Sequence, residues 1–176
     1  MRTFRVTVMM VLMSTTFYQA HAADCVAPIE PGAHAFDFLL GQHSVALHAW
    51  TPDGWTPPRP VGANWNGWRG LEGAAVYDEW LDPQGGKGVN VRMYDAEKAV
   101  WKMMWIATGS LQVQDLRAGF KDGKLTMWQV YPERSGWKAV FTRESTDSWA
   151  REEFFENEKG EWVPRFRLVA TRSDCG

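Results

Sequence analysis

The chain has 176 residues, 45% of them hydrophobic and 23% charged, with a formal net charge of −2. That is the composition of a folded chain and about the length of one domain; it excludes a disordered tail, a collagen-like repeat and a Pro-rich linker. The unusual feature is 11 tryptophans.

The first segment reads as an address. Met1-Arg2-Thr3-Phe4-Arg5 is a short basic start, Val6 to Met13 is an apolar run, and Ala20-His21-Ala22 supplies the small residues of a cleavage site. The pattern predicts a secretory signal peptide over residues 1–22 and a single domain over 23–176, periplasmic or secreted. The apolar run is too short for about 30 Å of hydrocarbon, so no membrane span is expected after cleavage. The densest basic cluster elsewhere is Arg165-Phe166-Arg167. A phosphate-backbone binder needs a concentrated positive face, so nucleic acid is not an expected partner. Cys25 and Cys175 stand near the two ends of the expected mature chain. In an oxidising compartment they predict one disulfide, which requires the ends of the fold to meet.

Ala33 to Leu40, before Gly41, is the one helical candidate, about two turns long and placed to plug one end of a barrel. Strand signals dominate the rest of the chain. His43–Trp50, Ala74–Trp80, Val89–Tyr94, Trp101–Ile106 and Leu111–Leu116 come first. Asp122-Gly123 then marks a tight hairpin, and Leu125–Tyr131, Trp137–Arg143, Trp149–Phe155 and Trp162–Thr171 complete the series. Pro52 to Pro60 reads as a loop. Short strands joined by short turns, without crossover helices, predict an all-β fold: a single antiparallel up-and-down barrel of eight to ten strands, or a sandwich.

Phe36-Asp37-Phe38-Leu39-Leu40-Gly41-Gln42-His43-Ser44-Val45 resembles the Phe-Asp-Phe-x-x-Gly-x-Trp-x-Val opening of a family of uncharacterised secreted lipocalin-like (calycin) domains. Leu71-Glu72-Gly73 with Ala75, Asp78 and Trp80 is similar to the next strand of that family. Val91-Arg92-Met93-Tyr94-Asp95 with Trp101 and Trp105 is similar to its following hairpin, and Arg143 to Trp149 resembles a later segment in shortened form. The resemblance implies a barrel with an internal cavity and carries no activity with it. His43 stands where the family has Trp, so Arg167 or Arg172 of the last strand is expected to face an imidazole at the barrel base. A related barrel family binds haem through a histidine near its C-terminus. This sequence has none beyond His48, so haem is not expected, nor any other cofactor.

No reaction-defining motif is present: no Gly-x-Ser-x-Gly, no His-Glu-x-x-His, no Cys-x-x-Cys. His43 and His48 are five apart, on opposite faces of a regular strand, so no metal site is expected. Asp78 and Glu79 also fall on opposite faces; they read either as a strand-end surface pair or as placing one carboxylate inside beside Arg92. Glu152 and Glu153 read as solvated strand ends. Trp65-Asn66-Gly67-Trp68 has the look of a rim that stacks a ligand or of a lid.

The hairpin with Tyr94 opposite Trp101 is the most informative piece. It puts Arg92 opposite Met103 and Asn90 opposite Trp105, and opposed residues share a face. Asn90, Arg92, Tyr94, Trp101, Met103 and Trp105 then form an aromatic wall with a few polar groups, as small-molecule cavities do; the other face, with Val89, Val91, Met93, Lys102, Met104 and Ile106, is also apolar, so which face is the lumen stays open. The expectation is a binder of a small hydrophobic or aromatic molecule, with an acidic group on the ligand, Glu79 or Glu144 as partner to Arg92. Two alternatives remain open. One is a cofactor-independent isomerase, cyclase or lyase using Glu79, Arg92 and Tyr94 in the same cavity. The other is a structural domain with a filled core.

Overall fold

The computed structural model describes residues 25–109 and 111–174. The signal segment over 1–22 and Cys175 lie outside the described residues. The described residues form eleven strands in chain order: β1 (Gly41–Thr51), β2 (Gly54–Trp55), β3 (Arg59–Gly70), β4 (Ala75–Leu81), β5 (Lys87–Asp95), β6 (Val100–Ala107), β7 (Gln112–Lys121), β8 (Lys124–Tyr131), β9 (Trp137–Arg143), β10 (Ser148–Glu156) and β11 (Trp162–Arg172). Ten of them pair antiparallel with their barrel neighbours, and β11 returns to β1, opposing Arg172 to His43. The sheet therefore closes, which leaves no free edge at this seam. β2 is a two-residue extension paired only with the end of β1. The all-β, up-and-down barrel expected from strand spacing is the observed architecture, and the sandwich is not.

Local chemistry explains the turns. Asp122 and Gly123 both have positive φ, 51° and 72°, between paired Lys121 and Lys124. That is the two-residue hairpin turn whose twist matches the strands.

Two expectations need correction. Residues 33–40 do not make two helical turns; they carry one 3-10 turn at Asp37–Leu39, and Leu40 is already extended. Ala35, Phe36, Phe38 and Leu39 are all buried, more of the circumference than a short helix lying on one face can hide. Arg59–Gly70 is a 12-residue strand, although Pro52 to Pro60 reads as a loop and Trp65 to Trp68 as a rim or a lid. Its prolines fall at or before the start of the strand, where a missing N–H is tolerated.

Alternation decides the inside. Trp65, Val76, Trp101, Met103, Leu116, Leu125, Met127, Ala139, Phe141, Trp149 and Leu168 point into the lumen as one core. Val26, Phe36, Phe38 and Leu39, from the segment before β1, fill one end. Phe36 meets Trp101 at 5.1 Å and Phe141 at 5.5 Å, both edge-on. Phe38 meets Trp149 at 5.2 Å, and the aromatic column continues from Trp149 to Trp65 at 5.2 Å and from Trp65 to Trp80 at 5.7 Å. These are the edge-to-face separations that ring quadrupoles favour. Gly67 permits this plug: a Cβ there would fall on the carbonyl of Leu39.

Candidate functional site

Above the plug the lumen is not filled. A cavity of about 350 Å³ remains, and each of the ten barrel strands contributes to its wall. Trp65, Trp80, Trp105 and Trp137 give it aromatic sides, Leu47, Leu116, Met127 and Leu168 give aliphatic ones, and Asn90, Gln114 and Gln129 bring amides. Gly88 lets Trp105 lie across β5, since a Cβ at that position would run into the indole ring.

The hairpin register is Tyr94 to Trp101, Arg92 to Met103 and Asn90 to Trp105, and this face is the inner one. Arg92 is 1% exposed, whereas Met104 on the other face is 48% exposed. The six residues do not share one pocket, however. Asn90 and Trp105 line the cavity. Arg92, Tyr94, Trp101 and Met103 lie nearer the plugged end, where Tyr94 packs on Trp101 at 5.4 Å.

Arg92 is closed off from the cavity. It forms an ion pair with Asp78, which is fully buried, and its guanidinium sits 4.9 Å from the ring centre of Phe36. Asn90 completes the arrangement when its amide is turned so that the oxygen faces Arg92: Oδ1 then accepts from Arg92 Nη2 at 3.0 Å and Nδ2 donates to Met104 O at 3.0 Å. Burial, with repulsion from Arg151, pushes the guanidinium down to about 9, still above neutral pH, so Arg92 stays charged. A buried charge needs such a partner. The expected partners are not the ones found. Glu79 is on the outer side of β4, accepting from Asn66 at 3.1 Å, and Glu144 pairs with Arg167. Glu79, Arg92 and Tyr94 therefore do not converge on a substrate-sized space.

The charged groups of the cavity are Arg151, Glu153 and Arg134. Glu153 is buried rather than solvated. It accepts from Arg151, and its Oε2 takes the Trp137 indole N–H at 2.9 Å. Arg151 also stacks over Trp65, 5.7 Å from the ring centre. Arg134, in the connection from β8 to β9, lies over Trp137 at 5.4 Å and Phe155 at 5.0 Å. It is exposed and has no carboxylate partner among the described residues. The internal pair cancels, so Arg134 leaves a net positive charge at the cavity. A signal for the pair existed in the sequence. Trp149, Arg151 and Glu153 alternate, so an inward Trp149 carries both charges inward.

His43 is buried at the base. Its Nδ1 lies 3.2 Å from Trp65 O and its ring meets Trp149 edge-on at 5.8 Å. Arg172, directly opposite on β11, reaches Cys25 O at 2.6 Å, while Arg167 turns to Glu144 and Glu152. Burial lowers the His43 pKa, and the Arg172 charge adds to that. His48 Nδ1 contacts Thr56 O at 2.8 Å, away from His43. Among the described residues no group of three His, Cys, Asp or Glu side chains is placed to hold a metal ion, and no helix is long and apolar enough to cross a membrane. Trp68, half of the pair read as a rim, is outside, stacked on Tyr77 at 5.8 Å.

In comparison with known proteins, no family model matches the chain and no curated protein matches it.

Proposed function

We propose that this is an exported, lipocalin-like barrel that binds a small apolar or aromatic molecule in its lumen. The observation that carries the reading is the division of the lumen. One end is packed solid by Phe36, Phe38 and Leu39, while the other keeps about 350 Å³ of space between four tryptophans. A chain selected only for a filled core has no use for that space, whose lining would gain dispersion contacts by closing it. The volume lies at the lower end of the range for small-molecule pockets, and the mix of aromatic wall and few polar groups is typical of them. An acidic group on the ligand would face Arg134 rather than Arg92.

Export and a Cys25–Cys175 disulfide belong to the same proposal. Cys25 N donates to Thr146 O at 2.9 Å, and Arg172 Nη1 donates to Cys25 O, so Cys25 sits beside the end of β11, three residues before Cys175. Non-reducing peptide mapping should find the two cysteines joined, and N-terminal sequencing of native protein should begin near Ala23.

The deciding experiment is native mass spectrometry of protein from its own host, with tryptophan fluorescence titration by a panel of aromatic acids. A retained small molecule, or quenching that Trp105→Ala abolishes, is the expected result. Neither adduct nor quenching would leave the cavity without a ligand and end the reading.

A further inference from the structure

The barrel wall is well zipped except in one place. β8 and β9 pair only through Leu125–Phe141, Thr126–Val140 and Met127–Ala139, although β8 continues to Tyr131 and β9 begins at Trp137. A register shift between Asp115 and Leu116 lets the far half of β8 bend while staying on β7. The two strands diverge beyond Met127, and the wall is split there.

A groove of about 710 Å³ lies along the outside of this split, with Trp128, Phe154 and Trp162 on its sides. Gln129, Arg134 and Trp137 line both this groove and the lumen cavity. The two spaces thus meet at three side chains. The groove carries Lys121, Lys124, Arg134 and Lys138 against Asp122, Glu133 and Glu152, and two of its lysines rest on rings: Lys121 Nζ is 4.2 Å from the Trp128 centre, and Lys138 Nζ is 4.2 Å from Trp162 and 5.5 Å from Phe154. An apolar floor on which Lys138 is held over Trp162 and Phe154, in a groove where cations outnumber carboxylates, suits an apolar chain that ends in an anion.

Resting on the reading of the lumen as a ligand site, we propose that lumen and groove are two halves of one binding site joined through the split. The ligand is then an elongated anion. Its apolar or aromatic head occupies the lumen. Its chain leaves beside Arg134, lies on Trp128, Phe154 and Trp162, and presents its charge to Lys138. The lumen alone holds a head of two or three rings with no room for a chain, so a longer molecule must leave it, and the split is where the wall is already open.

Two probes with one head separate the halves: dansylglycine, which is compact, and 11-(dansylamino)undecanoate, which carries a long anionic chain. Wild type should bind the long probe at least about tenfold more tightly, since burying only two methylenes is worth that much. Lys138→Ala and Trp162→Ala should each weaken the long probe by about threefold or more and leave dansylglycine unchanged. Trp105→Ala should weaken both. Equal affinity of the two probes for wild type overturns the inference and leaves the lumen site standing. So does a long-probe affinity that neither groove variant changes. Failure of both probes to bind removes the lumen reading and this inference with it. Lys138→Ala alters only a surface side chain, so the test holds even where Trp162→Ala disturbs folding.

Discussion

Arg92 lies diagonally across from Asp78 on the neighbouring strand, two residues off its direct partner Val76, and the two form an ion pair that water does not reach. Such a pair contributes little net stability over an apolar pair of the same shape, but half of it is costly to leave behind. Asp78→Asn should therefore destabilise the protein by about 3–5 kcal/mol. Asp78→Leu combined with Arg92→Met should recover most of that loss. Urea unfolding with unchanged m-values reads both; a single variant as stable as wild type would contradict the buried pair.

Gly67→Ala tests the plug. The new methyl falls on the Leu39 backbone, which cannot move without withdrawing Phe36 and Phe38 from the lumen. A loss of about 1–3 kcal/mol is expected, in the range of overpacked cores. Trp149, fully buried against Phe38, should become accessible to acrylamide in the same variant.

His43 supplies an acid-labile increment of stability. Burial holds its folded pKa below the ordinary value of 6.5, so the unfolded chain takes up its proton first as pH falls. The contribution is fully present above about pH 6.5 and declines as pH drops from there to the folded value, with a slope of at most about 1.4 kcal/mol per pH unit. Asp95 and Asp174, lowered chiefly by hydrogen bonds from Lys102 and Arg172, lose their contributions at lower pH, in the carboxylate range. Unfolding free energies of wild type and His43→Gln between pH 5 and pH 7 should converge towards the acid side, because only wild type carries the His43 slope.

Arg134 is the cation at the lumen cavity without a carboxylate partner among the described residues. Arg134→Ala should weaken binding of 2-naphthoate by about fivefold and leave 2-naphthalenemethanol, the neutral analogue, nearly unchanged. Isothermal titration of both ligands on both proteins checks this. Equal losses for the two would assign Arg134 to packing on Trp137 and Phe155.

Much of the fold was legible because it is written in local signals: alternation, Asp122-Gly123, and short connections that make neighbours pair. The Tyr94–Trp101 register came from the same logic. Which face of that hairpin is inner was not legible from hydrophobicity. Met93, Met104 and Ile106 on the outside are as apolar as the lumen residues, and they are exposed at 40% or more. The split of the inner face into core and cavity depends on Phe36 and Phe38, which arrive from a segment far away in sequence, and no period in β5 or β6 encodes their arrival. The strand Arg59–Gly70 was hidden by Pro60, by Pro57 and Pro58 just before it, and by Gly62, Gly67 and Gly70. One of these, Gly67, is small because the plug lies against it. The cavity charges were hidden by adjacency: in Glu152-Glu153, one residue pairs with Arg167 outside and the other with Arg151 within.

The seam between β1 and β11 has a kinetic consequence. Every other barrel ladder joins consecutive barrel strands and can form as a local zipper, but this one brings His43 to Arg172 and closes a loop of nearly the whole domain. Its entropy cost comes before its contacts reward it, so it forms late. The same place holds a clasp: Cys25 reaches Thr146 and Arg172, and Ser173 N bonds Gln42 O at 2.8 Å. The plug and the seam are thus one latch. Lifting residues 25–40 empties the base and frees the last strand together, and hydrogen exchange should report β1, β11 and the plug opening as a single cooperative unit.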